Sequence, residues 1–123
     1  MRQIIINTNP VPKPRMTKSD KWKKRKCVQD FWEYKQILAT RAIKEGVLPR
    51  EHYDLTFVLK MPMDWSKKKR AEQVGQPHKK RPDIDNLVKG VLDCLLAEDG
   101  CVYEIKANKQ WGEHGQVIFN LPE

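Results

Sequence analysis

No stretch of this 123-residue chain approaches the roughly 20 consecutive apolar residues that a bilayer-spanning helix needs. The apolar run nearest the N-terminus, Ile4 to Ile6, is also far too short for a secretory leader. No membrane association is expected, and a cytoplasmic protein is. Cysteine is scarce: Cys27, Cys94 and Cys101 are odd in number, form no C-x-x-C pair and have no histidine at a zinc-site interval. That excludes a disulfide framework and a zinc finger, and leaves reduced thiols, two of them packed. His52, His78 and His114 are scattered, so a histidine-based centre is not expected. There is no internal repeat, and the length fits one domain, residues 1–123, with a modest core.

What the chain has in excess is positive charge. The formal net charge is +8, and sixteen of the twenty-four Lys and Arg residues fall within residues 1–26 and 67–81. A single lysine-rich run is commonly a solvated loop, but two in one small domain favour a polyanionic partner such as nucleic acid. The candidate phosphate contacts are Arg15, Lys18, Lys23, Lys24 and Arg25 in a first basic loop, at about 8–26. Lys67, Lys68, Lys69, Arg70, Lys79, Lys80 and Arg81 belong to a second, at about 62–82. Trp22 lies inside the first run, where it either stacks on a base or packs down as an anchor.

Between the basic segments the hydrophobic periodicity is legible. Gln3 to Asn7 is a short β-branched run closed by the proline-rich "NTNPVPKP". Phe31, Tyr34, Leu38 and Ala42 recur at helical spacing within Val28 to Glu45, and Gly46 follows as a stop. Tyr53 to Met61 alternates as a central strand and ends at Pro62. In the long basic segment that follows, Ser66 can cap one short helix, and Gly75 and Pro77 break any continuation. Leu87, Val88, Val91, Leu92, Leu95 and Leu96 then form one helical stripe, extended backwards by Ile84. Residues 101–108 and 116–121 alternate again and are expected to pair as an antiparallel hairpin. The order β-α-β-(short α)-α-β-β is no βαβα repeat, so the expected class is α+β with a small, mainly antiparallel sheet.

Two aspartates stand directly behind the second basic run, in "HKKRPDIDNLVKG", His78 to Gly90. The ordinary reading is a helix start, with Pro82 at the first helical position, an Asp cap, and acid beside the positive end of the helix dipole. Capping needs one acid, and here there are two with Asn86 behind them. In an extended segment Asp83 and Asp85 point the same way while Ile84 turns into the core. Two carboxylates so placed are the hard oxygen donors that Mg²⁺ takes from a protein, the remaining ligands being phosphate oxygens and water. Asp85, Lys89 and Asp93, four apart, share one polar strip, where Lys89 is either half of a surface ion pair or a partner for a phosphate. Asp99, before Gly100, is either a turn residue or a third acid.

The segment "RPDIDNLVKGVLDCL", followed by an acidic turn, a strand and Lys109, resembles the signature of the RusA family, phage and prophage endodeoxyribonucleases that resolve Holliday junctions. "NPVPKPR", Asn9 to Arg15, is similar to the family's N-terminal loop. The resemblance implies a RusA-like homodimer that makes paired incisions in a four-way DNA junction with Mg²⁺, Mn²⁺ being an acceptable substitute. It further implies Asp83, Asp85 and Asp99 as metal-binding and catalytic acids, with Glu98 an alternative to Asp99. Lys89 becomes the essential lysine, and Lys109 joins the DNA-contacting cations.

A helix from Asp85 to Leu96 spans about 18 Å at 1.5 Å per residue, which sets Asp99 at the far end from Asp83. Either the chain folds back along the helix, or Asp99 comes from a second subunit across a two-fold axis. The competing expectations are a non-catalytic basic nucleic-acid-binding domain whose acids only cap a helix, and a protein-interaction module with lysine-rich loops.

Overall fold

A computed structural model describes residues 2–14, 26–46, 51–96 and 100–121. The elements are β1 (Arg2–Ile6), α1 (Lys26–Lys44), β2 (His52–Lys60), α2 (Lys67–Gln73), α3 (Ile84–Leu95), β3 (Glu104–Gly112) and β4 (Gln116–Leu121). The fold is α+β, in the element order expected. No helix among the described residues is long and apolar enough to cross a membrane.

The four strands form one mixed sheet in the order β1-β4-β2-β3. β4 pairs antiparallel with both β1 and β2, and β2 pairs parallel with β3. The expected β3–β4 hairpin is therefore absent: β2 lies between the two strands. Period-two alternation assigns side chains to faces but says nothing about which strand is the neighbour. The chain passes from one side of β2 to the other over its C-terminal end, where Gly112 lies against Val58 so closely that any Cβ would collide with that side chain.

α1 and α3 pack together on one face of the sheet. The stripe read from α1, Phe31, Tyr34, Leu38 and Ala42, is buried against Leu87 and Val91 of α3 and against Leu55, Phe57, Val117 and Phe119 of the sheet. Burial of each large side chain of this kind contributes about 1.5–3 kcal/mol. The other face mixes the buried Val58 and Ile118 with polar side chains that tie all four strands together. Gln3 donates to Asn120 (2.9 Å), Asn120 donates to Asp54 (3.2 Å) and Thr56 (3.1 Å), and Asn108 donates to Thr56 (3.1 Å).

The N-terminal loop is held on α3. Lys13 N donates to Asn86 O (3.4 Å), and a Cβ at Gly90 would meet Val11 O at 2.8 Å and Lys13 N at 3.3 Å. Glycine at position 90 is what lets the "PVPKP" segment lie across the helix. Among the three cysteines only Cys94 is buried, against the expectation of two, because Cys27 and Cys101 fall at exposed positions beside element ends. Burial pushes the Cys94 thiol up to about 12, which keeps it protonated and unreactive.

Gly90→Ala sets a methyl against backbone rather than a yielding side chain. It is expected to cost about 1–3 kcal/mol, read as a lowered urea midpoint at unchanged m-value. A midpoint equal to wild type would show that the loop does not rest on this helix.

Candidate active site

The acids are presented by a segment that looks like loop in the sequence but is paired in the structure. Ser66 Oγ accepts from Lys69 N (3.2 Å) and starts α2, as its position predicts. Beyond α2 the chain runs antiparallel beside β3. Gly75 N donates to Trp111 O (2.8 Å), Trp111 N to Gln76 O (3.0 Å) and His78 N to Lys109 O (3.0 Å). These bonds cover part of the free edge of β3 and fix where Lys79 to Asp83 begin.

Two side chains complete the fixing. His78 is buried with its ring 4.2 Å from that of Trp111, and its Nδ1 accepts from Lys80 N at 3.4 Å. Lys109 Nζ donates to Lys80 O (2.7 Å) and Pro82 O (2.8 Å). Expected among the DNA contacts, Lys109 here spends its ammonium on bracing the backbone just before the acids. His78 was set aside as one of three scattered histidines, and its structural role has no signal in the sequence beyond its place in the basic run.

α3 begins two residues later than a helix started by Pro82 would: Ile84 is its first residue, Asp83 is the N-cap and Pro82 precedes the cap. This changes the geometry of the acid pair. Asp83 is extended (φ −69°, ψ 144°), whereas Asp85 already lies in the first helical turn, so strand-like alternation does not relate them. Ile84 is accordingly 36% exposed rather than turned into the core.

Among the described residues the Asp83 carboxylate makes no capping hydrogen bond, although it occupies the cap position. Asp85 commits Oδ1 to the Asn86 amide (2.9 Å). Both carboxylates are exposed, and Asp83 lines an open cleft of about 520 Å³ with Pro12, Arg81, Pro82 and Asn86. The N-terminal loop and the acidic helix start thus meet in one cleft, with a guanidinium on its wall.

Further along α3, Lys89 pairs with Asp93 (3.2 Å), the surface ion pair its spacing allowed. Asp93 also takes Lys13 (3.2 Å), whose Nζ lies 4.9 Å from the Phe31 ring centroid. Lys13 was not among the predicted site residues. It sits in the proline loop that the sequence singles out, but its partner is eighty positions away. Lys67, Lys68, Lys69, Lys79, Lys80 and Arg81 are exposed, and Arg70 is half-buried. Arg15, Lys18, Trp22, Lys23, Lys24, Arg25, Glu98 and Asp99 lie outside the described residues.

The acid pair suits a hard divalent ion. Its donors are oxygens only, it is open to a phosphate, and the Asp83 carboxylate is left unused by the cap. Among the described residues no group of three His, Cys, Asp or Glu side chains converges. A third protein ligand would therefore come from elsewhere, and the position expected to supply it is Asp99 or Glu98.

The fold and the site define a small α+β domain that presents paired carboxylates at a helix start among exposed cations. The family model described as Endodeoxyribonuclease RusA matches residues 7–121, nearly the whole chain, and the protein belongs to that family. A search of curated proteins found no match.

Burial first, and Lys109 second, hold the His78 imidazole below its usual range. The unfolded chain then binds the proton more readily, so stability is full above the unfolded value of about 6.5 and is lost as pH falls below it. The melting temperature should fall between pH 7 and pH 5.5, and fall less steeply in His78→Gln. Parallel pH profiles for the two proteins would show that this imidazole is not held neutral.

Proposed function

We propose that this chain is a Mg²⁺-dependent, structure-specific endonuclease, with Mn²⁺ as a substitute, that resolves four-way DNA junctions by paired phosphodiester hydrolysis on opposite strands. The observation that carries this reading is the family match over residues 7–121, together with an N-cap carboxylate, Asp83, that serves no cap and opens into a cleft beside Arg81.

Asp83 and Asp85 hold the ion from the start of α3, with Asp99 or Glu98 as a further ligand or general base. When bound, Mg²⁺ neutralises phosphate charge, lowers the pKa of a coordinated water and braces the leaving oxygen. Arg81 binds the backbone phosphate at the cleft wall. Lys89, one turn behind Asp85, turns from Asp93, which keeps Lys13 as its partner, to the charge that develops on the scissile phosphate. Lys109 and His78 contribute by positioning, because they hold the chain that carries Asp83. Lys79, Lys80, the lysines of α2 and the arm from Arg15 to Arg25 neutralise flanking phosphates, which makes binding steeply salt-dependent.

A two-fold homodimer matches the symmetry of the junction. It also answers a problem of length, since the twelve residues of α3 span about 18 Å. Antiparallel apposition of two copies of α3 would bring the start of one beside the end of the other, so that Asp99 of one chain serves Asp83 of its partner.

Labelled junction incubated with Mg²⁺ should be cut in both opposed strands, linear duplex far less. Asp83→Asn and Asp85→Asn should each lower the rate by at least about a hundredfold while leaving junction binding intact. Binding without cleavage under Mg²⁺ or Mn²⁺ would leave a non-catalytic DNA-binding domain, and equal cutting of duplex would remove the junction from the assignment.

Mixing Asp83→Asn chains with Asp99→Asn chains tests the shared site. A heterodimer with one intact composite site should nick one strand of the junction. No product from the mixture would mean that each subunit uses its own acids.

A further inference from the structure

A second cleft lies beside the Lys79–Lys80 segment, and neither the acids nor the family assignment accounts for it. Its volume is about 440 Å³, and its walls include Trp65, Trp111, Lys69, Lys79 and Lys80, with Glu72 the one acid among them. The indole rings of Trp65 and Trp111 pack against each other, with centroids 4.8 Å apart at 57°, so a further ring can stack only on the face of Trp65 that Trp111 leaves open. Trp111 is buried and backed by the His78 ring at 4.2 Å, so this wall is rigid. Trp65 is half-exposed, and Lys69 Nζ lies over its face, 4.4 Å from the centroid.

A half-exposed indole backed by a buried one, with three lysines against one carboxylate on the rim, is chemically complementary to one kind of group: a flat, polarisable ring flanked by negative charge. A nucleotide is that group, because its base has a π-face whatever its identity and its phosphates lie on both sides. A cation already resting on the Trp65 face marks the electron-rich surface a base would cover, and Lys69 needs only to swing from ring to phosphate.

The location gives this face a role in the reaction. Lys80 lines the aromatic cleft, and Arg81 to Asp83 line the acidic one. Three residues span at most about 11 Å, so a strand whose phosphate lies at Asp83 has a neighbouring nucleotide within reach of the tryptophans. A base inside a linear duplex is stacked and paired and does not cover the Trp65 face; an unstacked base near a branch does.

We infer that the open face of Trp65, backed by Trp111, is a stacking subsite that takes one unpaired nucleobase of the DNA strand adjacent to the scissile phosphate, with Lys69, Lys79 and Lys80 on the flanking phosphates. It rests on the nuclease reading only for its adjacency to the cut, not for its chemistry. The subsite lets the protein favour branched over linear DNA through unpaired bases, without reading sequence.

The test uses a single-stranded oligonucleotide with 2-aminopurine at its centre and the fully paired duplex of the same sequence, with no divalent ion, so that nothing is cleaved. Wild-type protein should quench the single-strand fluorescence by stacking and leave the duplex signal almost unchanged. Trp65→Ala should lose the quenching and bind the single strand about tenfold more weakly, while Trp65→Phe retains most of both. Lys69→Ala should lower the salt slope for the single strand by about 0.7. Equal losses by Trp65→Ala on single strand and duplex, or no loss on either, would overturn the subsite. If Trp65→Ala fails to fold, absence of quenching in wild type, or Trp65→Leu binding and quenching as wild type does, overturns it instead. Quenching that depends on Trp65 in a protein that cuts no DNA would support the subsite while ending the nuclease assignment; Asp83-dependent cutting without quenching would do the reverse.

Discussion

The active-site arrangement depends on the bond between the Lys109 ammonium and the carbonyls of Lys80 and Pro82, at 2.7 and 2.8 Å. Charge-assisted hydrogen bonds of this kind are the strong ones, roughly twice a neutral pair. They connect the edge strand β3 to the turn that delivers Asp83, which otherwise would be the end of a twenty-residue excursion carrying seven cations. Mutual repulsion among those cations favours an extended, solvated loop. The backbone pairing of residues 75–78 with β3 and the His78–Trp111 contact oppose that tendency. The result is a highly charged segment with a defined path, so its lysines point from a fixed base while its acids remain at the head of a helix.

The same scaffold brings the two ends of the chemistry together. The N-terminal loop reaches the cleft because Gly90 offers no side chain to oppose it, and Lys13 then ties the loop to Asp93. Asp93 in turn holds Lys89. One half-buried carboxylate on α3 therefore organises two lysines, one from the N-terminal loop and one from its own helix.

Much of the domain was legible in the residues. The stripes of α1 and α3, the central position of β2 and the Ser66 cap follow from periodicities of 3.6 and 2 and from local capping chemistry. Three readings failed where local rules run out. The β3–β4 hairpin failed because alternation does not name a neighbour, and β2 took the place between the two strands. The strand-like view of Asp83 and Asp85 failed because the helix starts between them. The reading of the long basic segment as a loop around one short helix missed its pairing with β3, because the partner, residues 109–111, is thirty positions away.

The chemistry was carried by the sequence alone: which residues are acids, which are cations, and that two aspartates followed by a lysine at helical spacing open the helix "DIDNLVKGVLDCL". Those are local properties, set by residue type and separation within a few turns. The tertiary structure decided what each charge is for. Lys109 became a brace, Lys13 a tether and Trp65 with Trp111 a cleft because long-range strand order put them beside groups far away in the chain. A side chain's partner is a property of where the backbone returns, and no short window of sequence contains that information.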